Sequence, residues 1–269
     1  MSRLASAKEF VTTVVDEIRA KNVTFLAGGI AYNAFVSMVP LFLFAVFALS
    51  LIGGGVRNQV LTLLTQTVSE TIGTLVEEIL RRRADGGMGS SVVGSLILVW
   101  GALKVFRGLD TAFAQIYEVD ADTSFLDQLR DGLVVLVSLV LSIAALVAAT
   151  SAFAAFAGVV PYLGVFLPVV LAAGLVLAFF PMYYVFPDAD VTVREVLPGV
   201  LFAAVGWALL QGLFQVYVAA STGDQAVGIF TGIMLLLTWL YFSGVVMLVG
   251  VVINAVRGGY AGRGRSVGS

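Results

Sequence analysis

Three charges stand inside an otherwise apolar stretch: Lys104, Arg107 and Asp110, at positions i, i+3 and i+6. On a helix, Arg107 and Asp110 can pair along one face. A helix starting near Val92 would carry Lys104 about 18 Å along its axis. An ionic group at that depth in hydrocarbon costs at least ~2.5 kcal/mol unless it is paired or hydrated. The chemistry such a patch offers is the lining of an internal cavity open to a solute or ion. The competing reading ends the helix near Val105 and lets the three groups snorkel to the interface. Two further sets are polar but neutral. Tyr32, Asn33 and Ser37 lie beside Gly28, Gly29, Ala31 and Ala34. Asn33 and Ser37 share a helix face, and the small residues allow a second helix to approach closely. They read as interhelical hydrogen-bonding groups or as a cavity lining. Gln211 and Gln215 are four apart, with Trp207 one turn before, and Asn254 closes the last apolar run. Buried amides need partners in hydrocarbon. Bonds from these amides to the first two spans would create one polar interior.

What the chain lacks narrows the chemistry. It has no histidine and no cysteine. Imidazole acid–base work, thiolate nucleophiles, disulfides and Cys/His zinc sites are excluded. Asp120 with Asp122, and Asp188 with Asp190, repeat the spelling Asp-Ala-Asp. Such pairs could hold a hard divalent cation, but solvated acidic loops explain them more simply. No phosphate-binding loop, dinucleotide fingerprint or nucleophile–base constellation is present. The reading is therefore not an enzyme, with no catalytic residue, no metal and no cofactor. A net charge of −2 and a pI near 5.1 argue against nucleic acid as a partner.

The elements that must position these residues are membrane spans. Hydrophobic residues make up 59% and charged residues 12% of 269 positions, against about 25% charged in a soluble domain. The mean hydropathy is +1.02. From Gln225 to Val256 there are 32 residues without a charge. As a helix this run would be about 48 Å long, more than the roughly 30 Å of hydrocarbon in a bilayer. Trp239 and Tyr241 lie in its middle and read as packing residues. The fold class expected is an all-α membrane protein with six transmembrane helices, near 24–52, 91–117, 132–159, 163–186, 196–220 and 226–256. They form a single domain over residues 1–258, with a flexible basic tail over 259–269. Residues 3–21 read as an amphipathic helix, with Leu4, Ala7, Val11, Val14, Val15 and Ile18 at 3/4 spacing. Its place is the membrane surface or the side of the bundle. Residues 56–85 mix Val, Leu and Ile at helical spacing with Thr, Gln and Glu. They read as an extracytoplasmic helical segment between spans one and two. The first twenty residues carry mixed charge and no compact apolar core, so no cleavable signal peptide is expected.

Six spans place both termini on one side. With the N-terminus inside, 11 of the 15 Lys and Arg residues fall in inner segments and four, Arg57 and Arg81 to Arg83, fall outside. This bias makes the cytoplasm the side of both termini in a multi-pass cell-membrane protein. The outer arginine triplet is the discordant feature.

Several motifs, in order, resemble the YihY/BrkB family of inner-membrane proteins, once labelled ribonuclease BN. The first is AGGIAYNAFVSMVPLFLF, Ala27 to Phe44. The second is WGALKVFRGLDTAFAQIY, Trp100 to Tyr117. The third begins with the Tyr-Val-Phe-Pro of Tyr184 to Pro187 and continues through LPGVLFAAVGWALLQGLFQVYV, Leu197 to Val218. It closes with LLLTWLYFSGVVMLVGVVINAV, Leu235 to Val256. The resemblance covers nearly the whole chain. It implies six spans, the amphipathic first helix and the external helical segment. The family's Gly-Ala-Glu-x-Asn frame appears here as Gly250 to Asn254 without the acid, and its Tyr-Gly before the last span appears as Val227-Gly228.

Two functions remain open on the sequence. One is a transporter or exporter of a small solute with a polar bundle interior. The other is a non-transporting membrane protein, for envelope integrity or as a scaffold for partners. The bilayer is the partner expected in either case, and a homo-oligomer is compatible with both.

Overall fold

The computed structural model describes residues 3–51, 58, 61–62, 76–78, 107–119, 130–135, 137–138, 141–142, 144–145, 167–221 and 229–260. Among them every regular element is a helix and no strand occurs. Five long helices are described: α1 (Arg3–Ala20), α2 (Val23–Leu51), α3 (Leu167–Val185), α4 (Val193–Ser221) and α5 (Ile229–Arg257). Residues 107–117 are also helical, as are the described residues between 130 and 145.

The chain divides into two compact units, Met1–Tyr32 with Phe106–Ser269, and Asn33–Val105. In the second unit, Thr62 Oγ1 donates to the Asn58 carbonyl oxygen at 2.9 Å. There Val76 is buried while its neighbours Glu77 and Glu78 are exposed. That contrast is what an amphipathic helix produces. Most of the expected 56–85 segment lies outside the described residues, as do 91–106, 120–129, 146–166 and the tail beyond Tyr260.

In the first unit, the helix ends are set by local chemistry. Asn22 takes the left-handed conformation with φ 51°, which asparagine tolerates. Its carbonyl oxygen accepts from Phe25 N and Leu26 N, so one residue closes α1 and opens α2. The 107–117 helix ends the same way at Glu118, φ 56°, with Val119 N donating to Ala114 O. At the end of α5, Gly259 takes φ 76° and Tyr260 N donates to Ala255 O. Both reverse-turn bonds satisfy carbonyls that the helix leaves unpaired. α4 begins with half of a capping box: Thr192 N donates to Glu195 Oε2 at 2.8 Å.

The helices α3, α4 and α5 pack in sequence, and α1 packs on α5. Buried residues concentrate at one end of this unit. They include Val23 and Ala27 on α2, Phe113 and Tyr117, Tyr183 on α3, Val196 and Val200 on α4, and Leu248 and Val251 on α5. Further along α4 the side chains are apolar but exposed, Leu209 by 64% and Leu213 by 69%. Two helical stretches among the described residues, Val193–Tyr217 and Thr231–Arg257, are long and apolar enough to cross a bilayer. Only 28% and 39% of their apolar windows are buried. A soluble core helix would be covered by protein on all sides, whereas these turn greasy surface outward. Val23–Met38 of α2 and Val170–Val185 of α3 are shorter apolar stretches.

Candidate functional site

The packed end is fastened by one amide. Asn254 is 1% exposed, near the end of α5. Its Nδ2 donates to the Val196 carbonyl oxygen at 2.8 Å, and its Oδ1 accepts from Gly199 N at 2.7 Å. One partner is an acceptor and the other a donor, so the arrangement fixes which way the amide points. Both partners flank Pro198, which lies inside α4 and brings no N–H to the ladder. The rung that Pro198 removes is the one to the Arg194 carbonyl oxygen, and the Asn254 side chain holds the α4 backbone beside it.

Close approach makes this contact geometrically available. A Cβ on Gly199 would fall 2.1 Å from the Gly250 carbonyl oxygen and 2.6 Å from Asn254 Cγ. A Cβ on Gly250 would fall 2.5 Å from the Tyr183 hydroxyl and 2.6 Å from the Gly199 carbonyl oxygen. The two backbones therefore cross in contact, the use to which membrane helices put glycine. Tyr183 brings α3 into the same junction by donating its hydroxyl to the Met247 carbonyl oxygen at 2.6 Å. Its ring meets Phe113 edge-on at 5.6 Å, and Phe113 meets Phe186 in the same way at 5.6 Å. Three helices and the 107–117 segment converge there.

Lys21 and Glu118 form an ion pair between the α1–α2 corner and the end of the 107–117 helix. The two side chains are only 13% and 19% exposed. Partial burial lifts such a pair above the 0.2–1 kcal/mol of an exposed one. We expect Lys21→Ala and Glu118→Ala each to cost about 1–2 kcal/mol, and the exchange Lys21→Glu with Glu118→Lys to recover most of it. A double-mutant cycle on thermal unfolding in detergent measures this; additive single effects would mean that the pair contributes nothing.

The other candidates lie on several helices. Asp110 is buried, 8% exposed, and Arg107 is exposed. Lys104 lies outside the described residues. On α2, Tyr32 is 65% exposed, Asn33 is half-buried, and Ser37 is buried with no hydrogen-bond partner for its hydroxyl among the described residues. Gln211 and Gln215 are both exposed on α4. Gln211 stands 12 residues beyond Gly199, about 18 Å along the axis. The two glutamines are therefore not part of the Asn254 junction, and Asn254 bonds to α4 rather than to the first two spans. Gln211 instead lines an open groove of about 360 Å³ with Phe214, Gly232, Leu235, Leu236 and Trp239. Trp239 packs edge-on against Trp207 at 5.1 Å, the packing role its mid-run position implies. Asp188 and Asp190 are exposed, and Asp120 and Asp122 lie outside the described residues. No group of three acidic, His or Cys residues that could hold a metal occurs among the described residues.

Tyr183, Gly199 and the Lys21–Glu118 pair were not among the residues singled out from the sequence, and Gly250 stood out only as the first residue of the family's frame. Gly199 and Gly250 carry a readable signal, since glycine inside a long apolar helix weakens it unless a neighbour needs the space. The pairing of Lys21 with Glu118, 97 positions apart, leaves no local trace.

The chain is similar to several membrane proteins. It is 28% identical to a UPF0761 membrane protein of Aromatoleum aromaticum over 281 residues, covering 98% of this chain and 67% of that one. It is 26% identical to the ribonuclease-like protein YfkH of Bacillus subtilis over 238 residues, covering 83% and 86%. A UPF0761 membrane protein of a Psychrobacter species is 25% identical over 238 residues, covering 85% of this chain and 44% of the relative. No solved structure matches. The sequence model of the family described as virulence factor BrkB matches residues 14–266, and the chain belongs to that family of membrane proteins.

Proposed function

We propose that this protein is a six-span protein of the cell membrane, with both termini in the cytoplasm, that moves a small solute across the bilayer without covalent chemistry. The observation that carries the reading is the burial of Asp110. It lies eight residues before Glu118, about 12 Å further along the helix than the Lys21–Glu118 pair. That ion pair, between the α1–α2 corner and a helix end, suits the cytoplasmic interface. A carboxylate at that depth is kept where it is paired or hydrated, and such groups mark solute or ion pathways. Arg107 stands one turn deeper again and is exposed, as a residue facing a hydrated path would be. The Asn254 junction then acts as the fixed base of the path, holding α3, α4 and α5 together at the cytoplasmic end. The ribonuclease-like name of the Bacillus subtilis relative does not transfer to this chain, which has no histidine.

A second reading, a scaffold or envelope-integrity protein, is favoured by the aromatic packing of Phe113, Tyr183 and Phe186. Flux decides between the two. Proteoliposomes loaded with a small-molecule cell extract should release at least one solute faster than protein-free liposomes. That release should fall tenfold or more in Asp110→Asn and Arg107→Ala. Release no faster than from protein-free liposomes, or release equal in both variants, removes the path.

The cysteine-free sequence makes sidedness directly testable. Single cysteines at Ser6 and Ser269 should react with an impermeant maleimide only after the cells are opened. One at Asn58 should react in intact cells. Labelling of the two ends from opposite faces would exclude an even number of spans.

A further inference from the structure

α1 has two apolar faces, and only one of them is packed. Val14 and Glu17 are buried, 8% and 6% exposed. Since α1 packs on α5, these two residues mark the side turned to the bundle. Counting about 100° per residue, Ala7, Val11, Val15 and Ile18 fall on one stripe about 80° wide. The stripe is centred about 90° round the helix from the packed side. Ala7, Val11 and Val15 are exposed, Val11 by 58%, and Ile18 is half-buried. The charges of α1 are sorted about this stripe. Lys8 and Arg19 stand along its rim away from the bundle, and both are exposed. Neither pairs with an acid among the described residues. Glu9 and Asp16 are exposed on the far side, about 150° from the centre of the stripe. Lys21, the next base along the chain, is already held by Glu118.

We propose that α1 lays this stripe into one leaflet of the bilayer, and that Lys8 and Arg19 bind the phosphate groups of anionic lipids along its rim. The corner at Asn22 brings the stripe to the membrane. It joins α1 to the apolar Val23–Met38 stretch of α2, and Phe25, three positions on, is 80% exposed. Greasy surface therefore begins within one turn of the place where α1 ends. An apolar stripe left in water there is costly, whereas an interfacial helix buries such a stripe at the headgroup–acyl boundary. The charges select the lipid. Lysine and arginine side chains are long enough to reach headgroup phosphates from a helix lying at that level. Bases along the rim, with the acids turned away, are drawn to a leaflet that carries net negative charge. Acids placed beside the stripe would have cancelled that attraction. The inference needs a bilayer but does not rest on solute transport, and its test reads the seating of α1 alone.

The test uses the full chain in lipid nanodiscs, with a nitroxide attached at Val15→Cys or at Asp16→Cys. The chain has no cysteine of its own. Collisions of the label with oxygen, which concentrates in lipid, are compared with collisions with a neutral, water-soluble nickel chelate. In discs of equal parts phosphatidylcholine and phosphatidylglycerol, the label at Val15→Cys should meet the chelate about tenfold less often than the label at Asp16→Cys. In discs of phosphatidylcholine alone that protection should fall severalfold. Lys8→Gln with Arg19→Gln should abolish the difference between the two lipids, while Glu9→Gln should keep it. All three positions are exposed, so these changes leave the packed side of α1 intact. Equal chelate collisions at the two labels in the mixed discs would place the stripe in water. Protection from oxygen as well as from the chelate would mean that protein covers it. Protection that ignores phosphatidylglycerol, or a lipid difference that survives the double change, would remove the anionic lipid. Each of these results overturns the proposal.

Discussion

Gly199→Val will separate α4 from α5 and cost roughly 3 kcal/mol or more of stability. The smallest possible addition at this position, a single Cβ, already falls 2.1 Å from a backbone oxygen and 2.6 Å from Asn254. Neither neighbour can swing aside. The oxygen belongs to the α5 backbone, and the amide is held by two hydrogen bonds to α4. The helices must therefore move apart, and the move breaks those bonds and the Tyr183 contact with Met247 together. Gly250→Val meets the same obstruction from the other side and should cost as much. Gly212 and Gly232 provide the internal control. A Cβ on either meets nothing within 4 Å, so Gly212→Ala should leave stability unchanged or raise it by up to about 1 kcal/mol, because alanine is the better helix former. Unfolding in mixed micelles measures all three variants. Equal effects at Gly199 and Gly212 would mean that the close crossing is absent from the folded protein.

The contrast between these glycines indicates what could be read from the chain. Among the described residues, two charge-free runs coincide with α4 and α5, because a charge cannot easily be left in hydrocarbon. α4 spans Val193–Ser221 where the sequence places a span at 196–220, and α5 spans Ile229–Arg257 against 226–256. Residue type did not locate the polar contacts. Asn254 and Gln211 carry the same amide chemistry, yet one is enclosed at the packed end and the other faces an open groove. The difference is set by where along α4 a neighbouring helix comes close, and that depends on Gly199, Ala203 and Gly206 lying one turn apart. Gly206 accepts Val246 so tightly that a Cβ would sit 2.5 Å from Cγ1. Asn254 reads as an amide that needs partners, but its partners are backbone groups of Val196 and Gly199. Backbone groups have no signature in a sequence, so the expectation turned to side chains on the first two spans instead. Pro198 was the available clue, since a proline inside a helix leaves the backbone around it short of one bond.

Asn254→Leu should cost about 2 kcal/mol, and the loss should be felt first at the start of α4. Leucine matches asparagine closely in shape, so packing is nearly preserved and the change isolates the hydrogen bonds. Two bonds are lost, each worth between about 0.6 and 2 kcal/mol within a membrane. The two partners fare differently once the amide is gone. The Val196 carbonyl can keep an intrahelical bond, whereas Gly199 N follows a proline that has already removed one rung of the ladder. Hydrogen exchange should therefore speed up over residues 195–200 by tenfold or more, while the middle of α5 stays protected. Asn254→Gln should not rescue the loss. Its extra methylene would push the amide into a space where even the Gly199 Cβ is excluded. Unchanged exchange over 195–200, with stability within about 0.3 kcal/mol of the wild type, would mean that the glycine crossing alone joins the two helices. The amide would then be a passenger, and the fixed base proposed for a solute path would have to be sought in the Tyr183 contact.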